Sequence, residues 1–156
     1  MVRPAHRRVS RIVLLDENDH FLLFRTSSPR LLVPVVRWIT PGGGVDPHES
    51  HHEGAIRELY EETGLQIESL GESFHSVTGE SIFNDGHVQS TYTEFFVHRT
   101  EHFMPTTDNW LPNEHVDITD TRWWSISEIT QLDEAEYSPV GLSHIVEKAI
   151  QLSSSS

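Results

Sequence analysis

Residues 50–64 leave this chain less freedom than any other stretch, because signals that start and stop a helix stand at its two ends. Ser50 followed three residues later by Glu53 forms a capping box, and Gly64 stands where a helix ends on a left-handed residue. The spacing predicts a helix over about Ser50 to Thr63. With Glu58 set at 0° and about 100° per residue, Glu61 falls at about 300° and Glu62 at about 40°. Three carboxylates therefore share one stripe, while Ile56, Leu59 and Thr63 gather on the opposite side as the face expected in the core. Like charges three and four residues apart repel, and these crowd the C-terminal half of the helix, where its dipole disfavours anions. Helix stability does not account for them. Arg57 can neutralise part of the charge, and the remaining oxygens suit a hard divalent cation such as Mg²⁺. The competing reading is a solvated acidic face. The preceding run Gly42-Gly43-Gly44 reads either as a plain turn or as bare backbone that lets a ligand or metal come close.

Composition narrows the partners. The 156 residues suit a single domain, residues 1–156, and 36% hydrophobic residues are enough to bury a core. Eleven Lys and Arg against 24 Asp and Glu give a net charge of -13, which argues against stable nucleic-acid binding, since that requires clustered cations to displace counterions. Cysteine is absent, so thiolate metal sites and cysteine nucleophiles are excluded, and His, Asp and Glu remain as ligands. No apolar run approaches the roughly 20 residues of a membrane helix. The basic start, Met1 to Arg8, leads into alternating strand-like sequence instead of a signal-peptide core. A soluble, cytoplasmic chain with no membrane partner is the expectation.

Along the chain, Val9 to Leu15 and Phe21 to Phe24 flank the turn residues Asp16-Glu17-Asn18-Asp19 and predict a hairpin. Leu31 to Ile39 is a third strand-like run, with Pro34 marking an edge or a late start, and it breaks at Pro41-Gly42-Gly43-Gly44. Strands are expected near Leu70 to Thr78, from Val88 to His98 and from Thr121 to Ser125. Helices are expected at Ser127 to Leu132 and Val140 to Leu152, and Ser153 to Ser156 reads as a disordered tail. The polar stretch from Glu101 to Thr121 is long enough to suggest a functional or mobile loop. These elements predict an α/β sandwich with a mixed β-sheet.

Gly43, Glu49 five residues on, and Arg57-Glu58-Leu59-Tyr60-Glu61-Glu62-Thr63-Gly64-Leu65 after seven more resemble the Nudix box, G-x5-E-x7-R-E-U-x-E-E-x-G-U with U aliphatic, at every defined position. Chance agreement is on the order of 10⁻⁷ for a chain of this length, which excludes coincidence. Trp38-Ile39-Thr40-Pro41-Gly42 and Arg122-Trp123-Trp124-Ser125 are also similar to this MutT-like hydrolase family. The resemblance implies the Nudix fold, an α/β/α sandwich with a mixed sheet. It assigns Mg²⁺ or Mn²⁺ to Glu58, Glu61 and Glu62 with the carbonyl of Gly42, and it pairs Glu49 with Arg57 to hold the helix. Gly43 and Gly64 are structural positions of the box, and Leu59 and Leu65 belong to the core.

The implied reaction is metal-dependent hydrolysis of a diphosphate linkage in a nucleoside diphosphate joined to another group, a small-molecule substrate. The base in such proteins is a box glutamate, here Glu61 or Glu62, or an acid from a later loop; Glu114 is the candidate, with Glu94 as an alternative. Arg25 and Arg37, near the ends of strands leading to the glycines, are candidates for phosphate contacts. Trp110, Phe83 and Tyr92 are candidates to stack a base. His48, His51 and His52 are expected at the surface, since adjacent histidines diverge on a helix. A nucleotide-binding sensor of the same fold without hydrolysis is the alternative function. An isomerase that relies on cysteine does not suit a chain without one. Members of the family often form homodimers, which leaves a homodimer open here. No second motif selects one nucleotide derivative.

Overall fold

The computed structural model describes residues 6–28, 32, 35–110, 112 and 117–154. Strands β1 (His6–Leu15) and β2 (Phe21–Ser28) are apolar at nearly every inner position because both faces of each are covered. In one direction Ile12, Leu14, Leu22 and Phe24 meet Ala55, Leu59 and Phe96. In the other, Val13, Leu15, Phe21 and Leu23 meet Phe95, Trp124, Leu142, Val146 and Ala149. Between the strands the buried Asp16 carboxylate accepts N–H bonds from Asn18 (2.8 Å) and His20 (2.9 Å), which fixes the turn.

The chain continues through β3 (Val35–Ile39), β4 (Gly42–Gly44), α1 (His51–Thr63), β5 (His75–Ile82), β6 (Val88–Arg99) and β7 (Ile118–Trp124). Next come α2 (Ile126–Ile129), a 3₁₀ turn at Glu134–Glu136 and α3 (Leu142–Ser154). The sheet runs β3-β2-β1-β6-β5, with β4 paired to β1 and β7 to β2. It is mixed, as expected: β1 and β6 are parallel from His6↔Ser90 to Leu15↔Arg99, and the other pairs are antiparallel. A parallel pair needs a crossover, and α1 lies within it. Helix α1 lies against β1 and β4 on one face, and α3 against β6 and β1 on the other, giving the α/β/α sandwich.

Several elements differ in extent from the sequence expectation. The glycine run is a strand, paired to β1 at Arg11↔Gly42, Ser10↔Gly43 and Val9↔Gly44, because bare backbone can supply ladder bonds without any side-chain preference for the sheet. The fifth strand starts at His75 and not near Leu70, and β7 starts at Ile118. Helix α3 runs on through Ser153 and Ser154. The Ser153 hydroxyl accepts a bond from Arg99 Nε (2.9 Å) and donates to the Ala149 carbonyl (2.7 Å), so those serines have partners the sequence did not reveal.

Helix α1 begins and ends where its signals stand. The Ser50 hydroxyl accepts the Glu53 N–H, the Glu53 carboxylate accepts the Ser50 N–H, and Gly64 adopts φ 82° while its N–H reaches the Tyr60 carbonyl. Its buried residues are Gly54, Ala55, Leu59, Glu62 and Thr63, whereas Ile56 is only half-buried. The acidic stripe is therefore not opposite the core but borders it, since the helix lays that edge on β4, where glycines leave room for carboxylates.

Candidate active site

A guanidinium clamp organises the loop between β4 and α1. Arg57 donates through Nε to Glu49 Oε2 (2.7 Å) and through Nη2 to Glu49 Oε1 (2.9 Å), a bidentate pair, and Nη2 also reaches the Gly44 carbonyl at 2.9 Å. These bonds hold the Glu49 carboxyl below the usual carboxylate range, and the same pairing raises Arg57. Arg8 on β1 completes the brace by donating to the carbonyls of Asp46 (2.9 Å) and Glu49 (3.2 Å).

The three box acids lie on the adjoining edge of α1. Glu62, 5% exposed, accepts the Gly42 N–H at 2.7 Å. Glu58 takes a bond from Arg57 Nη1 at 3.1 Å, and Glu61 takes bonds from the same nitrogen at 3.3 Å. Burial lifts the Glu58 carboxyl above its ordinary range. Arg57 opposes that shift, and the neighbouring Glu61 charge adds to it. A carboxylate in that condition gains from a cation. The donors in reach are carboxylate and carbonyl oxygens without sulfur, the set a hard divalent ion prefers. Among the described residues, however, no three His, Asp or Glu side chains converge on one point; each acid rests on a protein donor. The fit is therefore one of chemistry and placement. A Cβ on Gly43 would stand 2.7 Å from the Glu58 carboxyl carbon, so glycine there keeps the carboxylate against bare backbone.

A cavity of about 400 Å³ opens beyond β4, walled by strands of the sheet and by Ser138 and Pro139. Alternation along the strand turns Gly43 toward Glu58 and Gly44 toward Arg7, where a Cβ would meet the guanidinium at 3.1 Å. Arg7, Arg11 and Arg37 all line this cavity. Arg11 Nη1 donates to the Thr40 carbonyl (3.0 Å), and burial holds its guanidinium below its ordinary range although Glu62 pulls it back up. Arg37 Nε is buried and has no hydrogen-bond partner.

The structure brings Arg37 to the cavity but leaves Arg25 exposed on β2, outside its lining. Arg7 and Arg11 escaped the sequence reading. Their spacing on either side of Val9 is the signal that would have found them, because residues i, i+2 and i+4 of a strand share a face. Glu114 lies outside the described residues. Glu94 is turned to the α1 side, taking a bond from the Tyr92 hydroxyl at 3.1 Å and lying 3.8 Å from His51 Nε2. His48 is exposed, as expected. His51 and His52 are half-buried and not fully at the surface: His51 contacts the buried Ser10 and packs edge-on against Tyr92, and His52 packs against Phe96. Trp110 is half-buried, donating its indole N–H to the Glu62 carbonyl at 2.8 Å and standing edge-on to Phe24. Phe83 sits in the β5–β6 turn.

Over 55 residues, 35% of this chain and 18% of the relative, the sequence is 38% identical to the m7GpppN-mRNA hydrolase NUDT17 of Bos taurus. Over 59 residues, 38% of this chain and 34% of the relative, it is 44% identical to an RNA pyrophosphohydrolase of Cereibacter sphaeroides. The chain thus matches well under half the length of either relative. The crystal structure of the MutT protein from Methanosarcina mazei Go1 has the same fold, with a TM-score of 0.69 over 99% of each chain at 20% identity. The NUDIX domain family model matches residues 5–142, a span from the start of β1 to the first residue of α3 that takes in every strand and the clamped acidic helix, and on that match the chain belongs to the NUDIX family.

Proposed function

We propose that the chain hydrolyses a phosphoanhydride bond in a nucleoside diphosphate linked to another group, by attack of water on phosphorus, with Mg²⁺ or Mn²⁺ held by Glu58, Glu61, Glu62 and the Gly42 carbonyl. The observation that carries this reading is the placement of box carboxylates on a side-chain-free strand, Glu58 against Gly43 and Glu62 on the Gly42 N–H, next to Arg7 and Arg11 of the paired strand, which with Arg37 line a cavity. The relatives' names, an mRNA cap hydrolase and an RNA pyrophosphohydrolase, agree with phosphoanhydride chemistry. A bound divalent cation would neutralise charge on the phosphate oxygens and acidify the attacking water.

The chain's own residues do the rest. Arg57 and Glu49 fix the loop so that the glycine strand and the acidic turn keep their relation. The cavity arginines hold non-bridging phosphate oxygens and draw off the charge that builds as the bridge breaks. A carboxylate, Glu61, Glu62 or Glu114, takes the proton of the water as its oxygen bonds to phosphorus. The P–O bridge then breaks, and its electron pair leaves with the departing phosphate.

A panel of nucleoside diphosphate derivatives with Mg²⁺ or Mn²⁺, run in ¹⁸O-labelled water and read by mass spectrometry, tests this. One labelled phosphate product is expected, and Glu62→Gln should lower turnover at least about a hundredfold with the fold retained. Nucleotide binding without any product would make the chain a sensor instead.

A further inference from the structure

The cavity beside β4 differs in kind from a pocket built to grip a flat ring. Every Phe, Tyr and Trp of the chain is among the described residues, and Phe95 is the one that lines this cavity. It is 2% exposed, packed into the core between β1 and α3, and offers no face to a ligand. The three aromatic residues that sequence reasoning offered for stacking lie elsewhere: Tyr92 is turned to the α1 side against His51, Trp110 is bonded to the Glu62 carbonyl, and Phe83 is in a turn. What the wall presents is three guanidiniums and the hydroxyls of Thr26, Thr91 and Thr93, among β-branched side chains such as Val35 and Ile39. Glu80 is the one carboxylate in the described lining. In a chain of net charge -13, three cations against one anion among the described lining residues reverse the local charge. Arg37 Nε, buried without a partner, bears the cost of desolvation that an incoming phosphate oxygen would relieve.

We propose that the cavity recognises its substrate through the phosphate chain and the sugar hydroxyls, held by Arg7, Arg11, Arg37 and the threonines, and that the base contributes almost nothing to binding. The substrate class is then a nucleoside diphosphate derivative of any base. This rests on the hydrolase reading for where the diphosphate lies, yet it can be tested without turnover. A base stacked on an aromatic ring is worth roughly five- to hundredfold in affinity. A base left at the mouth of the cavity is worth little, and a ribose diphosphate without a base should bind nearly as well.

The test is calorimetric titration of the full chain in Mg²⁺ with the non-hydrolysable α,β-methylene analogues of ADP, GDP, CDP and UDP, and with the matching analogue of ribose 5-diphosphate, which lacks a base. All five are expected to bind within about fivefold of one another, below the effect of a stacked ring. Arg37→Gln should weaken all five by a common factor of about tenfold, as expected for loss of a charge-assisted bond, and Arg37→Lys by less, since an ammonium keeps the charge but not the fork. Arg7→Gln, at an exposed position that folding tolerates, should also weaken all five. An abasic analogue that binds more than about fivefold weaker, or one base preferred by that margin, overturns the proposal, as does unchanged affinity in Arg37→Gln and Arg7→Gln alike. If the wild-type chain cleaves none of the natural diphosphates yet shows this binding pattern, the hydrolase reading fails while the recognition proposal stands.

Discussion

A methyl group added at Gly42 and one added at Gly43 meet different obstacles. At Gly42 the backbone holds φ 144°, and a Cβ would fall 2.1 Å from the Ser10 carbonyl oxygen and 2.8 Å from Arg11 Cα, both main-chain atoms of the paired strand. Gly42→Ala should therefore cost about 3 kcal/mol or more of stability, read as a lower denaturant midpoint. At Gly43 the obstacle is the tip of the Glu58 side chain, which can swing away. Gly43→Ala should leave stability within about 0.5 kcal/mol of wild type while divalent-metal affinity and turnover fall about tenfold. Glu49 responds to pH in a definite direction. Its folded value lies below its unfolded one because Arg57 bonds to the charged form, so its stabilisation is fully present above the unfolded value and is lost as pH falls through the folded one. Glu49→Gln should cost about 1–3 kcal/mol near neutral pH, and the difference from wild type should shrink on acidification below pH ~4, as followed by thermal melts. The Glu49–Arg57 pair was legible in the spacing of the box, since that spacing is what the resemblance reads. Arg7 and Arg11 were not, because the first strand was read from Val9, which hid the alternation that unites them.

At the scale of elements, α1 was legible to the residue because its end signals are local. Ser50→Ala removes one half of the capping box and should cost about 1 kcal/mol, measured as a shift in the unfolding free energy with turnover unchanged. The glycine strand was not legible, since three glycines carry no strand preference and its pairing with β1 is a tertiary fact. Helix geometry gave the angles of the acids around α1 but not the direction of the sheet. For that reason the burial of Glu62 among Ala55 and Leu59, with its carboxylate on the Gly42 N–H, emerged only in three dimensions. The serines after Leu152 looked like a tail because nothing local shows that Arg99, more than fifty residues earlier, meets Ser153.

For the molecule as a whole, the sandwich was legible in the order of strand and helix segments along the chain, whereas the covering of β1 and β2 on both faces emerged in three dimensions. The cavity was not, because its wall gathers residues from β1, β2, β3, β5 and β6 that are distant in sequence. The two halves meet where β4 pairs with β1: the acidic turn rests on the glycines, and Arg7 and Arg11 of the paired strand line the chamber. The claim on which this depends is that the acids leave their protein donors for a metal. Anomalous diffraction at the manganese edge from Mn²⁺-soaked crystals tests it directly. A peak bounded by Glu58, Glu61 and Glu62 is expected, with Glu61 turned away from Arg57. Manganese bound only elsewhere, with Glu61 still on Arg57 and Glu62 still on the Gly42 N–H, would contradict it.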